Sequence, residues 1–273
     1  MSITAAVLNF NGLDELQRLL PQVRAHGFHH IVVLDDASTD GSLEWLATQA
    51  DVTTITGQEN VGAPGNRNRL LDIQTEDIIV FLDNDMELLG TDVAAAVEAE
   101  FKRYPEAAVI GPLIYSTHDE PMWFNWGHDF RPYRWGLAEA LHRIWTAHRD
   151  NPAVMATVRE IAAGAVSNFE PVEDREVDWV VEMFFAVRAE VFCELAGFDP
   201  NFRRFHGGPD FCLRARNAGH TVRFTTSYTA KHLDQHIGSD EARMRDNYAS
   251  TAYYFQKHFG VPQDAVIPLV LSR

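Results

Sequence analysis

The sequence predicts an α/β protein with a Rossmann-like, mainly parallel sheet flanked by helices, and three observations support this fold class. Apolar runs of strand length alternate with stretches of helical periodicity in the first part of the chain. The run IIVFLD at residues 78–83 is apolar almost throughout, as in a strand that is covered on both faces. Several runs end in acidic or glycine-rich stretches, and open α/β sheets bind ligands at that edge.

The first half of the chain is predicted to contain four strands that alternate with helices. The first helix is indicated by Leu13, Leu16, Leu19 and Leu20, which recur at helical spacing. The second helix begins at a Ser/Thr/Asp cluster of the capping type. In chain order the predicted elements are a strand at residues 3–9, the first helix, the strand HHIVVLDD, the helix that starts in ASTDGSLEWLATQA, the strand VTTIT, the glycine-rich loop NVGAPGNRN, the helix NRLLDIQ, the strand IIVFLD and a helix at residues 91–104.

The second half is less regular because a long insertion interrupts it at about residues 115–176. The insertion contains the aromatic-rich stretch MWFNWGHDFRPYRWG and two helical pieces. The remaining predicted elements are extended AAVIGPLIY, VDWVVEMFFAVRAEVF as strand and then helix, FCLRARNAG as a helix with a Gly C-cap, the strand HTVRFTT, the polar loop TAKHLDQHIGS and the final helix EARMRDNYASTAYYFQKHFG. We predict one compact domain with two functional halves, residues 1–111 and 112–273.

Composition limits the classes of function. A net charge of −16 at pH 7 argues against a broad electrostatic contact with DNA or RNA. No stretch has the length of an apolar membrane span, and the start MSITAAVLNFNG lacks the order of a signal peptide. Two cysteines give no disulfide framework and fit a reducing compartment. The predicted location is cytoplasmic, with a peripheral membrane association left open.

The strand IIVFLD ends at Asp83, Asn84 and Asp85, and this acidic turn has two interpretations. Asp and Asn cap helices and tolerate turn conformations, so the turn is compatible with a purely structural role. A D-x-D pair also supplies hard oxygen ligands for Mg²⁺ or Mn²⁺, and such a cation in turn binds phosphate oxygens. Neighbouring stretches decide between these interpretations.

Two other stretches at the same predicted edge suit a nucleotide. Asp36, at the end of the second strand, can cap the next helix or accept a hydrogen bond from a nucleobase or a ribose hydroxyl. Arg67, in the glycine-rich stretch, offers a fork of donors to a diphosphate. Neither a dinucleotide fingerprint nor a P-loop motif occurs in that stretch. Together with the D-x-D turn, these residues predict a ligand with a base, a ribose and a diphosphate.

Four motifs in this order resemble the family-two nucleotide-sugar glycosyltransferases, including rhamnosyltransferase-like members. They are VVLDDASTDGS, NVGAPGNRN, FLDND and GFDPNF before an LRAR helix, and they cover most of the chain outside the insertion. The resemblance implies a GT-A fold and a Mn²⁺- or Mg²⁺-assisted transfer of a sugar from a UDP-, GDP- or dTDP-linked donor to a hydroxyl group. The implied acceptor is a glycan, a lipid-linked molecule, a protein or a small molecule, and the implied setting is polysaccharide biosynthesis.

The resemblance also implies roles for individual residues. By position, the donor-binding residues are Leu8, Phe10, Asp36, Arg67, Asp83 and Asn84. The first three of these would line the base pocket, Arg67 would lie near the diphosphate or near the acids of the motif, and Asp83 would contact ribose or sugar. The implied metal ligands are Asp85, Asp83 and His232, with His236 as the alternative to His232.

The catalytic base is where the sequence departs from its relatives. Relatives place it in a Glu-Asp pair that opens the LRAR helix, and counting back from Arg214 puts Gly207 and Gly208 at those positions. The candidates for the base are Asp210, His206 and Glu182. Asp210 is also compatible with a role as a helix N-cap or first-turn acid, and Glu182 stands where relatives often have a small residue. Inversion at the anomeric carbon is expected for a single displacement, and the Gly-Gly pair leaves a retaining mechanism open.

Two other functions remain alternatives. A sugar nucleotidyltransferase also uses metal-bound carboxylates on a parallel sheet, but it usually has a basic glycine-rich loop after the first strand, and LNFNGLDELQ contains no Lys or Arg. A nucleotide-sugar-binding module that has lost its base is the second alternative. In the insertion, Trp123, Trp126 and Trp135 are either core residues or platforms for sugar rings of the acceptor.

Overall fold

A computed structural model describes residues 1–73, 77–122, 124–128, 140–141, 144, 147–148, 150–162, 172–233 and 240–263 of the chain. It confirms the predicted α/β fold class. In chain order the elements are β1 (Ile3–Asn9), α1 (Leu13–Ala25), β2 (His30–Asp35), α2 (Ser42–Leu46), β3 (Thr53–Thr56), α3 (Gly62–Arg67), a 3₁₀ turn (Asn68–Asp72), β4 (Ile78–Asp83), β5 (Met86–Leu89), α4 (Val93–Arg103), β6 (Ala107–Tyr115), β7 (Trp126–Gly127), α5 (Pro152–Ala162), β8 (Arg175–Val177), β9 (Trp179–Val180), β10 (Phe184–Arg188), α6 (Ala189–Glu194), α7 (Gly207–Asn217), β11 (Thr221–His232) and α8 (Asp240–Phe259).

The described strands form one large mixed sheet in the order β3-β2-β1-β4-β10-β6-β11-β5, with β8 paired to β11 beside this path. The strands β1 to β4 are parallel to one another, and β6 is parallel to β11. In contrast, β10 is antiparallel to β4 and β6, and β5 is antiparallel to β11. A separate ribbon pairs β7 with β9.

Both faces of the sheet are packed, because successive strand residues point to opposite faces. In β1, Val7 belongs to a buried cluster with Leu16 of α1, whereas Ala6 belongs to a second buried cluster with Phe192 of α6. Residues 78–82 of β4 are all buried. The apolar run IIVFL therefore has the environment that its composition predicts.

Strand direction brings several chain segments to one edge of the sheet. Because β1, β2 and β4 are parallel, their last residues Asn9, Asp35 and Asp83 lie at the same edge. The antiparallel strand β10 begins at this edge, just after Glu182. The strand β11 ends there at His232. The sheet thus gathers polar residues from both halves of the chain.

Two local predictions were wrong. The stretch predicted as a glycine-rich loop contains the short helix α3, so Arg67 ends a helix instead of lying in a loop. The carboxylate of Asp36 accepts the backbone N–H groups of Val61 and Gly62 and so holds the start of this helix. The residues TAKH, predicted as a polar loop, continue β11 because their backbone pairs with β5 and β6.

Much of the predicted insertion lies outside the described residues, including Trp123 and Trp135, and so does His236. The second predicted helical piece forms α5. Trp126 is 4% exposed and packs against Phe224, with the guanidinium of Arg175 4.7 Å from its ring centre. Trp126 is therefore a core residue, one of the two roles that the sequence left open.

The two predicted halves share one sheet, since β10 lies between β4 and β6. The division between residues 111 and 112 falls inside β6, so it remains a prediction about function and does not separate two sheets. None of the described helices is long and apolar enough to cross a membrane.

Candidate active site

The acidic turn connects β4 to β5, and its two carboxylates contact different partners. Oδ1 of Asp83 lies 3.1 Å from Nη2 of Arg67. Oδ2 of Asp85 lies 3.1 Å from Nε2 of His232. This second contact forms because β11 pairs with β5 in a register that places His232 opposite Met86. The structure thus brings two predicted metal ligands together from distant parts of the chain.

A buried network of side chains ties the turn to the neighbouring strands. Nδ2 of Asn84 donates to Oδ1 of Asn9 at 2.8 Å, and Nδ2 of Asn9 donates to Oδ2 of Asp35 at 2.8 Å. Asn9 and Asp35 were not predicted as site residues. Their signal is that each is the last residue of a parallel strand, as Asp83 is. The donor-binding role of Asn84 remains a prediction, and its amide nitrogen already holds the turn.

Negative charge accumulates at this edge. Burial raises the pKa of Asp83 to about 7; Arg67 and His232 oppose the rise, while the charges of Asp85 and Glu182 add to it. A group of carboxylates with too little counter-charge is an environment that a divalent cation stabilises.

Among the residues that the structure describes, no group of three or more His, Cys, Asp or Glu side chains forms a ready-made metal site. Asp85 and His232 nevertheless fit a divalent cation as a pair. Mg²⁺ in nucleotide enzymes usually keeps several waters and is bound through one or two carboxylates together with phosphate oxygens of the substrate. The donor set is therefore sufficient if a diphosphate completes it, with Asp83 as a further oxygen ligand nearby.

Arg67 is fully buried beneath the turn, with 0% of its surface exposed. Its Nη2 donates to Asp83 and, at 3.0 Å, to the backbone oxygen of Glu182. Its guanidinium lies 5.9 Å from the ring centre of Phe81 and 5.2 Å from that of Phe198. Of the two roles implied for Arg67, this geometry favours contact with the acids of the motif over contact with a diphosphate.

Asp36 has both carboxylate oxygens occupied. Oδ1 accepts from the backbone of Val61 and from Nη1 of Arg69, both at 3.1 Å, and Oδ2 accepts from the backbone of Gly62 at 2.9 Å. Of the other residues implied for the base pocket, Leu8 is buried in the core. Phe10 is partly exposed at the sheet edge. Arg69 was not predicted as a site residue; it lies in the 3₁₀ turn after α3 and reaches Asp36 from there.

At the start of α3, Gly62 lies against the backbone of Arg203, and a substitution tests this contact. Gly62 has a φ of +81°, and a Cβ at this position would collide with the backbone oxygen of Arg203. We expect Gly62→Ala to lower the free energy of unfolding by about 2–4 kcal/mol, because left-handed strain and overpacking add. Chemical denaturation measures this. The matched control is Gly90→Ala, whose φ is +84° with open space around it, and it should cost only about 1 kcal/mol. Equal losses in the two variants would contradict the contact.

Asp210, the first candidate base, lies inside an ion-pair network. It is 0% exposed; Oδ1 lies 2.5 Å from Nζ of Lys257 and 2.8 Å from Nε2 of His258, and Oδ2 lies 2.9 Å from Nε of Arg214. Burial alone would raise the pKa of Asp210, but hydrogen bonds from His258 and Lys257 and the charge of Arg214 outweigh it and hold the pKa below its usual value. This environment supports an anchoring role more than proton transfer. The helix has His206 at its N-cap and no side-chain cap hydrogen bond, so the N-cap role that the sequence left open for Asp210 is not formed.

The other two candidates differ in what surrounds them. Nε2 of His206 lies 2.7 Å from Oγ1 of Thr251 and 3.1 Å from Oδ1 of Asn247, both in α8. Burial lowers the pKa of His206 to about 4, which makes it a weak base at neutral pH. Glu182 is 8% exposed and lies just before β10, at the edge that carries Asp83. Burial raises the pKa of Glu182, although Arg67 and the N–H of Gly208 oppose this.

Comparison with known proteins adds to this geometry. Residues 4–164 match the family model described as Glycosyl transferase family 2. No curated protein sequence matches the chain.

Several solved structures share the fold. GalNAc-T7 with UDP, GalNAc and Mn²⁺ has a TM-score of 0.63 at 14% identity, with 96% of this chain and 52% of that chain covered. The mannosyltransferase PcManGT from Pyrobaculum calidifontis, in complex with GDP-Man and Mn²⁺, has a TM-score of 0.60 at 15% identity, with coverages of 99% and 73%. Residues 1–349 of S. aureus TarS give 0.56 at 12% identity, with 99% and 69% covered. The chain thus spans about half the length of the GalNAc-T7 chain, and these likenesses confirm the predicted GT-A fold.

Proposed function

Because the chain belongs to glycosyl transferase family 2, we propose that it transfers a sugar from a nucleoside-diphosphate sugar to an acceptor hydroxyl with the help of a divalent cation. The observation that carries this proposal is the contact between Asp85 and His232 at the carboxyl edge of the sheet. It joins the D-x-D turn of the first half to the last strand of the second half, beside Asp83. Such an edge is where nucleotides bind to α/β sheets.

Each half has a part in the proposed reaction. Residues 1–111 supply the donor site and residues 112–273 supply the acceptor side together with His232. Asp85 and His232 would hold Mn²⁺ or Mg²⁺, which when bound stabilises the charge on the departing diphosphate. Asp83 is directed by Arg67 and is available to ribose or sugar, whereas Asn84, Asn9 and Asp35 keep the turn in place. Transfer by a single displacement would invert the anomeric configuration.

The proposed donor class is supported by the chemistry of this edge and by the ligands named for two solved structures with the same fold. The solved structures include one with UDP and one with GDP-Man, so UDP- and GDP-linked sugars are proposed along with dTDP-linked sugars. The acceptor is proposed to be a glycan, a lipid-linked molecule, a protein or a small molecule. We propose a cytoplasmic location, in keeping with two free cysteines.

Thermal unfolding with nucleotides tests the proposal. We expect one of UDP, GDP and dTDP to raise the Tm by several degrees in the presence of MnCl₂ and by much less with EDTA. A ligand at 100 times its Kd stabilises the native state by about 2.7 kcal/mol. If none of the three nucleotides raises the Tm with manganese, the proposed function is wrong.

The two alternatives make different predictions. A sugar nucleotidyltransferase would release diphosphate from a nucleoside triphosphate and a sugar phosphate. A binding module without a base would bind the nucleotide with manganese but would not hydrolyse the nucleotide-sugar, even slowly. Measurement of both products after the donor is identified separates all three functions.

A further inference from the structure

We propose that Glu182 is the catalytic base, and that its carboxylate occupies space that a side chain at position 208 of the helix would need. The inference rests on the proposed function. It replaces a helix-borne carboxylate by one that enters from the segment before β10.

The geometry around the two glycines supports a shared volume. An ideal Cβ on Gly207 would lie 3.2 Å from Oε2 of Glu182. A Cβ on Gly208 would lie 2.8 Å from the same oxygen and 2.9 Å from Cβ of Glu182. The distances at Gly208 are shorter than real Cβ contacts, so Glu182 and a side chain at position 208 cannot both occupy this position without a shift. Glycine at position 208 therefore makes room for the glutamate, while a Cβ at position 207 would only be tight against Oε2 of Glu182 and Cγ of Pro64.

The sequence fits this shared volume. Positions 207 and 208 are both glycine, and position 182 is an acid. A side chain at position 208 beside Glu182 would overpack the site. The glycines therefore let a carboxylate lie at the start of α7.

One oxygen of Glu182 is fixed and the other is not. The backbone N–H of Gly208, in the first turn of α7, donates to Oε2. This bond orients the carboxylate at the positive end of the helix. Within the part of the chain that the structure describes, no hydrogen bond to Oε1 is present, which leaves this oxygen for a hydroxyl proton.

Glu182 is also tied to the proposed donor site. The guanidinium of Arg67 bridges its backbone oxygen to the carboxylate of Asp83. The adjacent Met183 accepts the backbone N–H of Asp83 at 3.0 Å. The base and the donor-binding acid are therefore held by the same pair of strands, whereas Asp210 and His206 are bound to α8.

The reaction step follows from these positions. As the acceptor oxygen forms a bond to the anomeric carbon, its proton passes to Oε1 of Glu182. The bond between the anomeric carbon and the diphosphate oxygen breaks, and its electron pair leaves with the diphosphate. The protonated Glu182 then returns its proton to solvent, so no further reactant is needed.

The first test is Glu182→Gln, which keeps the size of the side chain and an oxygen that can accept from Gly208. The wild-type protein is first assayed with MnCl₂ and water as acceptor, using UDP-glucose, UDP-N-acetylglucosamine, GDP-mannose and dTDP-rhamnose in turn. The sugar donor that releases its nucleoside diphosphate is then used for the variant. We expect kcat to fall by about 10²- to 10⁴-fold. The Kd for the nucleoside diphosphate with manganese and the Tm should stay near wild type. The matched control is Glu176→Gln, an exposed glutamate on β8, which should keep wild-type kcat.

The second test moves the carboxylate back to the helix. Glu182→Gly should lose most of its turnover. The double variant with Glu182→Gly and Gly208→Asp should have a kcat at least about tenfold higher than Glu182→Gly, because a carboxylate again occupies the same volume. Near-normal turnover in Glu182→Gln overturns the inference. A Glu182→Gln variant in which the Tm and the nucleotide affinity fall together with kcat also overturns it, because that pattern indicates a structural role as a helix cap. A double variant whose kcat is no higher than that of Glu182→Gly overturns it as well. Failure of the proposed function is distinct, since the wild-type protein would then bind none of the nucleotides.

Discussion

Asp85→Asn is expected to abolish manganese-dependent binding of the nucleoside diphosphate. Its carboxylate lies against His232 and is the better placed of the two motif acids to hold a cation, since Asp83 contacts Arg67. Loss of a hydrogen-bonding partner of a metal ligand already costs about 10- to 100-fold in metal affinity, so loss of a ligand should cost at least about 100-fold. Calorimetry of UDP, GDP or dTDP binding with and without MnCl₂ measures the effect.

The control for this variant is Asp51→Asn. Asp51 pairs with Arg24 and precedes β3, so it lies toward the opposite edge of the parallel sheet. Asp51→Asn removes the same type of charge at a position away from the site. It should leave the increase in nucleotide affinity that manganese causes unchanged. If the Asp85→Asn protein keeps the wild-type Tm and an undiminished manganese-dependent affinity for the nucleoside diphosphate, Asp85 is not a metal ligand.

Asp210→Asn is expected to lower the free energy of unfolding by about 3–5 kcal/mol, because it removes a fully buried carboxylate from its ion pairs. Arg214 then loses its carboxylate partner, whereas Lys257 keeps Asp199. Asp210 is fully buried and pairs with Lys257, His258 and Arg214. For a chain of this size the Tm should fall by about 10 °C. If Asp210 were the base, which the sequence alone allows, this variant would lose transfer while nucleotide binding stays measurable; the ion pairs add the expected loss of stability.

Asp199→Asn is the matched control for this network. Asp199 also pairs with Lys257, at 2.7 Å, but its removal leaves that lysine paired with Asp210. We expect a loss of only about 1 kcal/mol for this partly exposed ion pair. If Asp210→Asn keeps wild-type stability and loses only turnover, Asp210 is the base and the anchoring role is wrong.

The stability difference caused by Asp210→Asn should depend on pH. The folded-state pKa of Asp210 is below its usual value, so its contribution is complete above the usual carboxyl pKa of about 4 and is lost as the pH falls through the lower folded-state value. Denaturation curves of both proteins between pH 7 and pH 3 should therefore converge at the acidic end.

Much of the fold could be predicted because its signals are local. The apolar run of β4 and the leucine spacing of α1 indicate directly which faces of the strand and the helix are buried in the core. The error at α3 has a tertiary cause: its first N–H groups are held by Asp36, from the end of another strand. The polar sequence of TAKH likewise gave no sign of its pairing with β5.

The site was predicted unevenly for the same reason. The D-x-D turn is visible in the sequence because strand end and acids are contiguous. The choice among Asp210, His206 and Glu182 depended on partners in α8 and at the start of α7, which no local pattern encodes.

The sequence by itself determined the α/β class, the acidic turn at a strand end, the excess of negative charge and the absence of acids at positions 207 and 208. The tertiary structure alone decided that Asp85 meets His232, that Arg67 is buried under the turn, and that Glu182 fills the space beside the two glycines. Periodicity and turn chemistry depend on neighbours along the chain, whereas these contacts depend on strand order and register across the sheet.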